Sequence, residues 1–151
     1  MVKQQTTGQS AGTYVIAVSR FNEFITRRLL DGCVAELSKK RIPKKNIKVV
    51  WVPGAFELPQ TAQHWARKRS VAAVIAIGCV IRGETYHFEL VAENTARGLM
   101  RVGLDTRKPV IFGVITTETV EQAYKRSGDG DEHKGQEAAQ AALDMVRVLS
   151  A

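Results

Sequence analysis

Cysteine is scarce in this 151-residue sequence: Cys33 and Cys79 stand alone, without metal-motif spacing and without a disulfide framework. A small fold stapled by disulfides is excluded, and a reducing, cytoplasmic compartment is the expectation. Aromatic residues reach only 7%. None is interleaved with the basic groups Lys39, Lys40, Arg41, Lys44, Lys45, Lys48 and Arg67, Lys68, Arg69, as a single-strand nucleic-acid platform requires. No apolar run reaches the roughly 18 residues of a membrane span. Residues 1–12 are polar and lack the apolar stretch of a signal peptide. No G-x-G-x-x-G occurs, so a dinucleotide site has no support. Gly78 and Gly83 have the glycine spacing of a phosphate-binding P-loop, and Thr85 fits its Ser/Thr position, but Glu84 stands where the Lys belongs, so this is not a P-loop. His64, His87 and His133 are scattered and form no metal constellation. Neither a metal nor a cofactor is expected.

What the chain does have is ordinary for one globular domain: 44% hydrophobic and 25% charged residues. A single core of this size is feasible without staples. The formal charge of +7 favours anionic partners in general. Both basic groups read as solvated faces, and charge alone is a thin warrant for nucleic-acid binding.

Short apolar runs alternate with amphipathic stretches. Residues 13–18 (TYVIAV), 47–52 (IKVVWV), 71–81 and 110–115 (VIFGVI) read as strands. The third, VAAVIAIGCVI, is continuously apolar, as in a parallel sheet buried on both faces. Residues 24–41, 58–69, 87–102 and 134–149 carry helical periodicity. Thr119 opens another helix with Gln122 three residues on, a capping-box pattern, and residues 127–132 (SGDGDE) end it. Repeated strand–helix alternation predicts an α/β fold: a three-layer sandwich, a four-stranded parallel sheet with helices on both faces. Residues 13–151 form the expected domain, and residues 1–12 a flexible N-terminal arm.

In open parallel sheets, ligands bind beyond the carboxyl ends of the strands. That rule selects residues 19–23, 53–57, 82–87 and 116–118, and predicts that they converge. Phe21 either closes the core beneath the first helix or offers a face on which a flat ring stacks. Glu57 suits a helix N-terminus and equally an acceptor for ligand hydroxyls. Residues 83–85 precede a helix whose free N–H groups make an anion site. His87 begins that helix, either bonded to a neighbouring backbone group or placed for proton transfer. His64 and His133 read as peripheral. Arg126 and Lys134 flank the 127–132 break, either as exposed helix-end cations or as phosphate ligands.

In order along the chain stand RFNEFIT (20–26), WVPGAFELP (51–59), GCVIRGETYHF (78–88), PVIFGVITTE (109–118), Arg126 and Lys134-Gly135. Together, over about residues 13–149, they resemble the lumazine synthase family. The resemblance implies a flavodoxin-like fold and a homopentamer, or a multiple of pentamers, with shared active sites. It implies condensation of 5-amino-6-(D-ribitylamino)uracil with 3,4-dihydroxy-2-butanone 4-phosphate to 6,7-dimethyl-8-ribityllumazine, in riboflavin biosynthesis, by a transferase. By the same resemblance Phe21 stacks on the pyrimidine, while Ala55, Phe56 and Glu57 hold the ribityl chain. Cys79, Val80 and Ile81 line the uracil pocket through backbone contacts, and Glu84 and Thr85 form the phosphate turn. His87 transfers protons. Phe112 and Arg126 come from a neighbouring subunit, Arg126 on phosphate, and Lys134 is an accessory cation. Two features depart from the family pattern. Asp129, Asp131 and Glu132 occupy a stretch that is basic or neutral in many relatives, and the arm lacks strand alternation. A flavin or lumazine carrier on the same fold is the competing reading, against which His87 speaks.

Overall fold

The computed structural model describes residues 12–128 and 132–151. The predicted arm, apart from Gly12, lies outside the described residues, as do Asp129 and Asp131. Among these residues there are four parallel strands: β1 (Thr13–Ser19), β2 (Ile47–Val52), β3 (Val71–Ile81) and β4 (Val110–Thr117). They form one sheet in the order β2-β1-β3-β4. The helices are α1 (Glu23–Lys39), α2 (Leu58–Ala66), α3 (His87–Thr106), α4 (Val120–Arg126) and α5 (Lys134–Ser150). The expected α/β sandwich is what forms.

Burial follows strand position. β1 and β3 are central, and almost every one of their residues is buried. β2 and β4 are edges and expose residues such as Val49 and Phe112. One core layer joins Ile25, Leu29, Cys33 and Leu37 of α1 to Ala139, Ala142 and Leu143 of α5 across Ile16, Ile75 and Ile77. The opposite layer joins Leu58 and Ala62 of α2 to Leu99 and Val102 of α3 across Val15, Val74 and Ala76. Removing one fully buried leucine such as Leu29 costs about 2–5 kcal/mol.

Helix boundaries moved by a few residues from the sequence reading, for local reasons. α1 stops at Lys39 because Arg41 turns left-handed (φ 68). The Arg41 and Ile42 N–H groups donate back to the Ser38 and Leu37 carbonyls at 3.0 Å each. This is a Schellman closure, with Ile42 buried against the helix it leaves. α2 ends at Ala66, where the Lys68 N–H donates to Trp65 O (3.0 Å) and the Val71 N–H to Lys68 O (3.1 Å). Lys108 Nζ fastens that turn by donating to the carbonyls of Lys68 and Val71, at 3.0 and 2.6 Å. The predicted cap of α4 is present: Thr119 Oγ1 accepts from the Gln122 N–H at 3.2 Å. Gln122 Oε1 reaches back to the Glu118 N–H at 2.8 Å.

Successive strands step from β1 out to β2, return across the sheet to β3, then go outward to β4. The reversal leaves a crevice between the tips of β1 and β3. The β1–β3 register ends at Val18 opposite Ile77, yet β3 continues to Ile81. The last residues of β3 therefore pair with β4 on one side only, and their other edge borders the crevice.

Candidate active site

The chain leaving β1 is fixed before α1 begins. The Arg20 N–H donates to Val52 O at 2.8 Å and the Phe21 N–H to Pro53 O at 3.1 Å, tying the first two strand tips together. Asn22 takes a left-handed conformation (φ 59), and its carbonyl accepts from the Ile25 and Thr26 N–H groups at 2.9 and 3.0 Å. Its side-chain Nδ2 donates to Cys79 O at 2.9 Å, on the unpaired edge of β3. This arrangement leaves Phe21 71% exposed, so it does not close the core.

After β2, residues Ala55–Glu57 make a 3-10 turn, closed by the Glu57 N–H on Gly54 O at 3.2 Å. A Cβ on Gly54 would stand 3.0 Å from Glu57 Oε2, so glycine leaves room for the carboxylate to fold back. Phe56 is 61% exposed, beside a buried Ala55. A buried aromatic core would account for neither Phe21 nor Phe56.

Phe21, Ala55, Phe56, Glu57, Cys79, Val80, Ile81, Thr85 and His87 line one cleft of about 950 Å³. Three of the four strand-tip segments thus converge as expected. Cys79 and Val80 keep their side chains in the core and offer backbone to the cleft, one carbonyl already engaged by Asn22. Burial pushes the Cys79 thiol up to about 12, which leaves it protonated and unreactive near neutral pH. His87 is the first residue of α3, exposed at the helix N-terminus. Its N–H reaches Thr85 Oγ1 at 3.4 Å. Glu84 sits in the same turn, exposed, without lining the cleft. A Cβ on Gly83 would meet nothing within 4 Å, so the turn is open to a ligand from that side.

The tip of β4 does not join this cleft. Thr116, Phe112, Arg126 and Lys134 line a second hollow of about 420 Å³ between β4, α4 and α5. The reason is topological: β4 lies beyond β3, away from the β1–β3 crevice. Phe112 is about half exposed there, on an edge strand. Arg126 Nη1 donates to Gln122 O at 3.4 Å, within its own helix. Lys134 Nζ stands 2.9 Å from Glu137 Oε2 and 3.6 Å from Glu132 Oε2, and the Glu137 hydrogen bond holds its ammonium above the usual lysine range. Glu132 of the acidic stretch thus sits on a cation of this hollow.

Several cleft residues escape a reading by strand tips. Phe88, Leu90, Val91 and Asn94 line it from the first turns of α3. Their only signal was an apolar helix face, which reads equally as core. Asn22 gave none beyond its place in the segment 19–23. His133, read as peripheral, caps α5: its Nδ1 accepts from the Gln136 N–H at 3.4 Å. It also lies so close to Gly32 that a Cβ there would come within 2.1 Å of the ring. Among the described residues no group of three His, Cys, Asp or Glu side chains is placed to hold a metal ion, and no helix is long and apolar enough to cross a membrane.

Two comparisons with known proteins gave matches. The crystal structure of PH0766 from Pyrococcus horikoshii OT3 is similar with a TM-score of 0.45 and 16% identity, over 93% of this chain and 37% of that one. This chain therefore spans little more than a third of that protein's length. The profile of the 6,7-dimethyl-8-ribityllumazine synthase family matches residues 12–150. With that match running through every strand and helix described above, the chain belongs to the 6,7-dimethyl-8-ribityllumazine synthase family.

Proposed function

We propose that the protein condenses 5-amino-6-(D-ribitylamino)uracil with 3,4-dihydroxy-2-butanone 4-phosphate, giving 6,7-dimethyl-8-ribityllumazine, phosphate and water. The observation that carries this reading is the gathering of Phe21, Glu57 and His87 in one cleft. Phe21 supplies a flat aromatic seat for the pyrimidine, in stacked contact. Glu57 accepts hydrogen bonds from ribityl hydroxyls beside Ala55 and Phe56, and the free edge of β3 at Cys79, Val80 and Ile81 meets the uracil edge. The turn formed by Glu84 and Thr85, with the α3 N-terminus, takes the ester phosphate. The amine of the uracil attacks the ketone and water leaves, forming an imine. Loss of the phosphate follows, and the exocyclic ribitylamino nitrogen closes on the remaining carbonyl with loss of a second water. His87 relays the protons of these steps. Orientation of two bound partners supplies much of the rate.

Among the described residues the cleft lining holds no lysine or arginine, whereas an ester dianion calls for one. Arg126 and Lys134 sit in the second hollow with Phe112. In our reading a neighbouring copy brings that hollow against the cleft, in a pentamer or a multiple of pentamers. The same reading makes the protein a cytoplasmic enzyme of riboflavin biosynthesis. The test mixes both substrates with the protein and follows the fluorescence of the lumazine, with solution mass measured in parallel. Turnover is expected, with Arg126→Ala losing far more rate than Arg69→Ala. Equal losses would remove Arg126 from the site, and tight flavin binding without turnover would make the protein a carrier instead.

A further inference from the structure

Arg82 leaves the end of β3 and does not line the cleft, yet its side chain meets three residues, two on α3 and one just beyond β4. Its guanidinium is hydrogen-bonded to Glu89, in the first turn of α3. Its Nε lies 2.7 Å from Glu118 Oε2, just beyond β4. Its Cζ lies 4.4 Å over the ring centroid of Phe88, a cleft residue. Its backbone N–H adds a further bond to Thr117 O at 2.8 Å. Immediately after it the chain enters residues 83–87, all exposed. That turn has almost no packing of its own, and Gly83 faces open space.

We propose that Arg82 is a positioning residue for the anion-binding turn 83–85, clamping β3, β4 and the start of α3 together and turning Glu89 away from the anion. This rests on the phosphate role given to that turn above. Two effects combine. The first is geometric: the turn is short, so fixing its two ends fixes the N–H groups between them. A planar guanidinium can hold two carboxylates and an aromatic face at once, which an ammonium cannot. The second is electrostatic. Glu89 stands in the first turn of α3, where a carboxylate is itself attracted to the positive helix end. Left unpaired, it competes with a phosphate for the same N–H groups and repels it. Its hydrogen bond to Arg82 is the main cause that holds its carboxyl below the usual glutamate range, ahead of one to its own backbone N–H, so the guanidinium takes the larger share of its charge. Arg82 carries two carboxylate partners, so it acts through the turn and not as a phosphate ligand.

The test compares Arg82→Gln, Arg82→Lys and the double variant Arg82→Gln/Glu89→Gln in the full-length protein. Affinity for inorganic phosphate is read by 31P NMR titration, and KM is measured for each substrate separately. Arg82→Gln is expected to weaken phosphate binding and raise KM for the sugar phosphate by about 10-fold, the scale of one charge-assisted hydrogen bond. KM for the ribitylamino-uracil stays within about 2-fold, since its pocket contacts are untouched. Arg82→Lys recovers part of the loss, and removing the Glu89 charge in the Gln background recovers part as well. Equal rises in both KM values, or no recovery on neutralising Glu89, would overturn the proposal. The phosphate titration does not depend on turnover. A wild-type protein that binds phosphate in an Arg82-dependent way without making lumazine would sink the proposed reaction and leave this inference standing.

Discussion

The cleft at the tips of β1, β2 and β3 and the hollow beside β4 are opposites in chemistry. The cleft is aromatic and apolar, with Glu57 and His87 as its ionisable side chains. The hollow is smaller and carries Arg126, Lys134 and Glu137 around one aromatic residue. A planar, uncharged ring with a polyol tail suits the first, and an anion suits the second. One chain therefore displays both recognition chemistries but keeps them apart, because β3 stands between β4 and the crevice. A reaction that joins a ring to a phosphorylated sugar needs the two apposed, and a second copy of the chain is the means our reading supplies.

Mixed oligomers test that apposition most strongly. His87→Ala and Arg126→Ala, each alone, are expected to lose about 10²-fold or more in kcat/KM, the scale of a lost proton-transfer group or a lost charge-stabilising donor. Co-refolded in equal amounts, they regain roughly a quarter of wild-type activity, because one interface in four then joins an intact cleft to an intact hollow. If the mixture performs no better than the sum of its components, cleft and hollow are not shared between neighbours.

The two regions also differ in how tightly the scaffold holds them. A Cβ on Gly135, next to Lys134, would stand 2.1 Å from Leu29 O, in the contact between α5 and α1. That neighbour is backbone and has no room to yield. Gly135→Ala is expected to cost about 3 kcal/mol in urea unfolding, the upper range of overpacking penalties. Gly83→Ala at the cleft faces open space, and its cost should stay within about 0.5 kcal/mol. Similar losses at both positions would contradict the difference in packing.

Most of the architecture was legible because periodicity reports burial. The continuous apolar run of residues 71–81 belongs to a strand covered on both faces, and it became the central β3. The strand-tip rule found Phe21, Glu57 and His87 without any structure. It failed for residues 116–118, because the rule does not say which tips flank the reversal of strand order, and that depends on long-range pairing. Asn22 was illegible for a different reason. Its role rests on one left-handed residue and one bond to Cys79 O across 57 positions of sequence. Asn94 and Leu90 were hidden because helix periodicity separates a buried face from an exposed one, yet does not distinguish core from cleft. The separation of Phe112 and Arg126 from the cleft was available only through the family resemblance, and that of Lys134 from neither source.

His133 sharpens the comparison at its weakest energy. It adjoins the hollow through Lys134 and holds the start of α5, where its ring accepts the Gln136 N–H and rests on Gly32. Burial is the main cause that pushes its imidazole below the usual histidine range, with Arg28 adding to the effect and Glu137 opposing it. The sign follows from linkage. A histidine with a lowered pKa in the folded state binds fewer protons there than in the unfolded chain. Stability is then fully present above the unfolded value of about 6.5 and is lost as pH falls through the lower folded value. Protonation also removes the acceptor that caps α5 and places a cation at the positive end of that helix. Thermal midpoints of the wild type should therefore decline as pH drops below about 6.5 by more than those of His133→Asn, whose side chain caps a helix without titrating. Since His133 lies outside the cleft lining, Asn is expected to leave ring binding in the cleft unchanged at neutral pH. Parallel declines in the two proteins would assign the acid sensitivity to other groups and return His133 to the periphery.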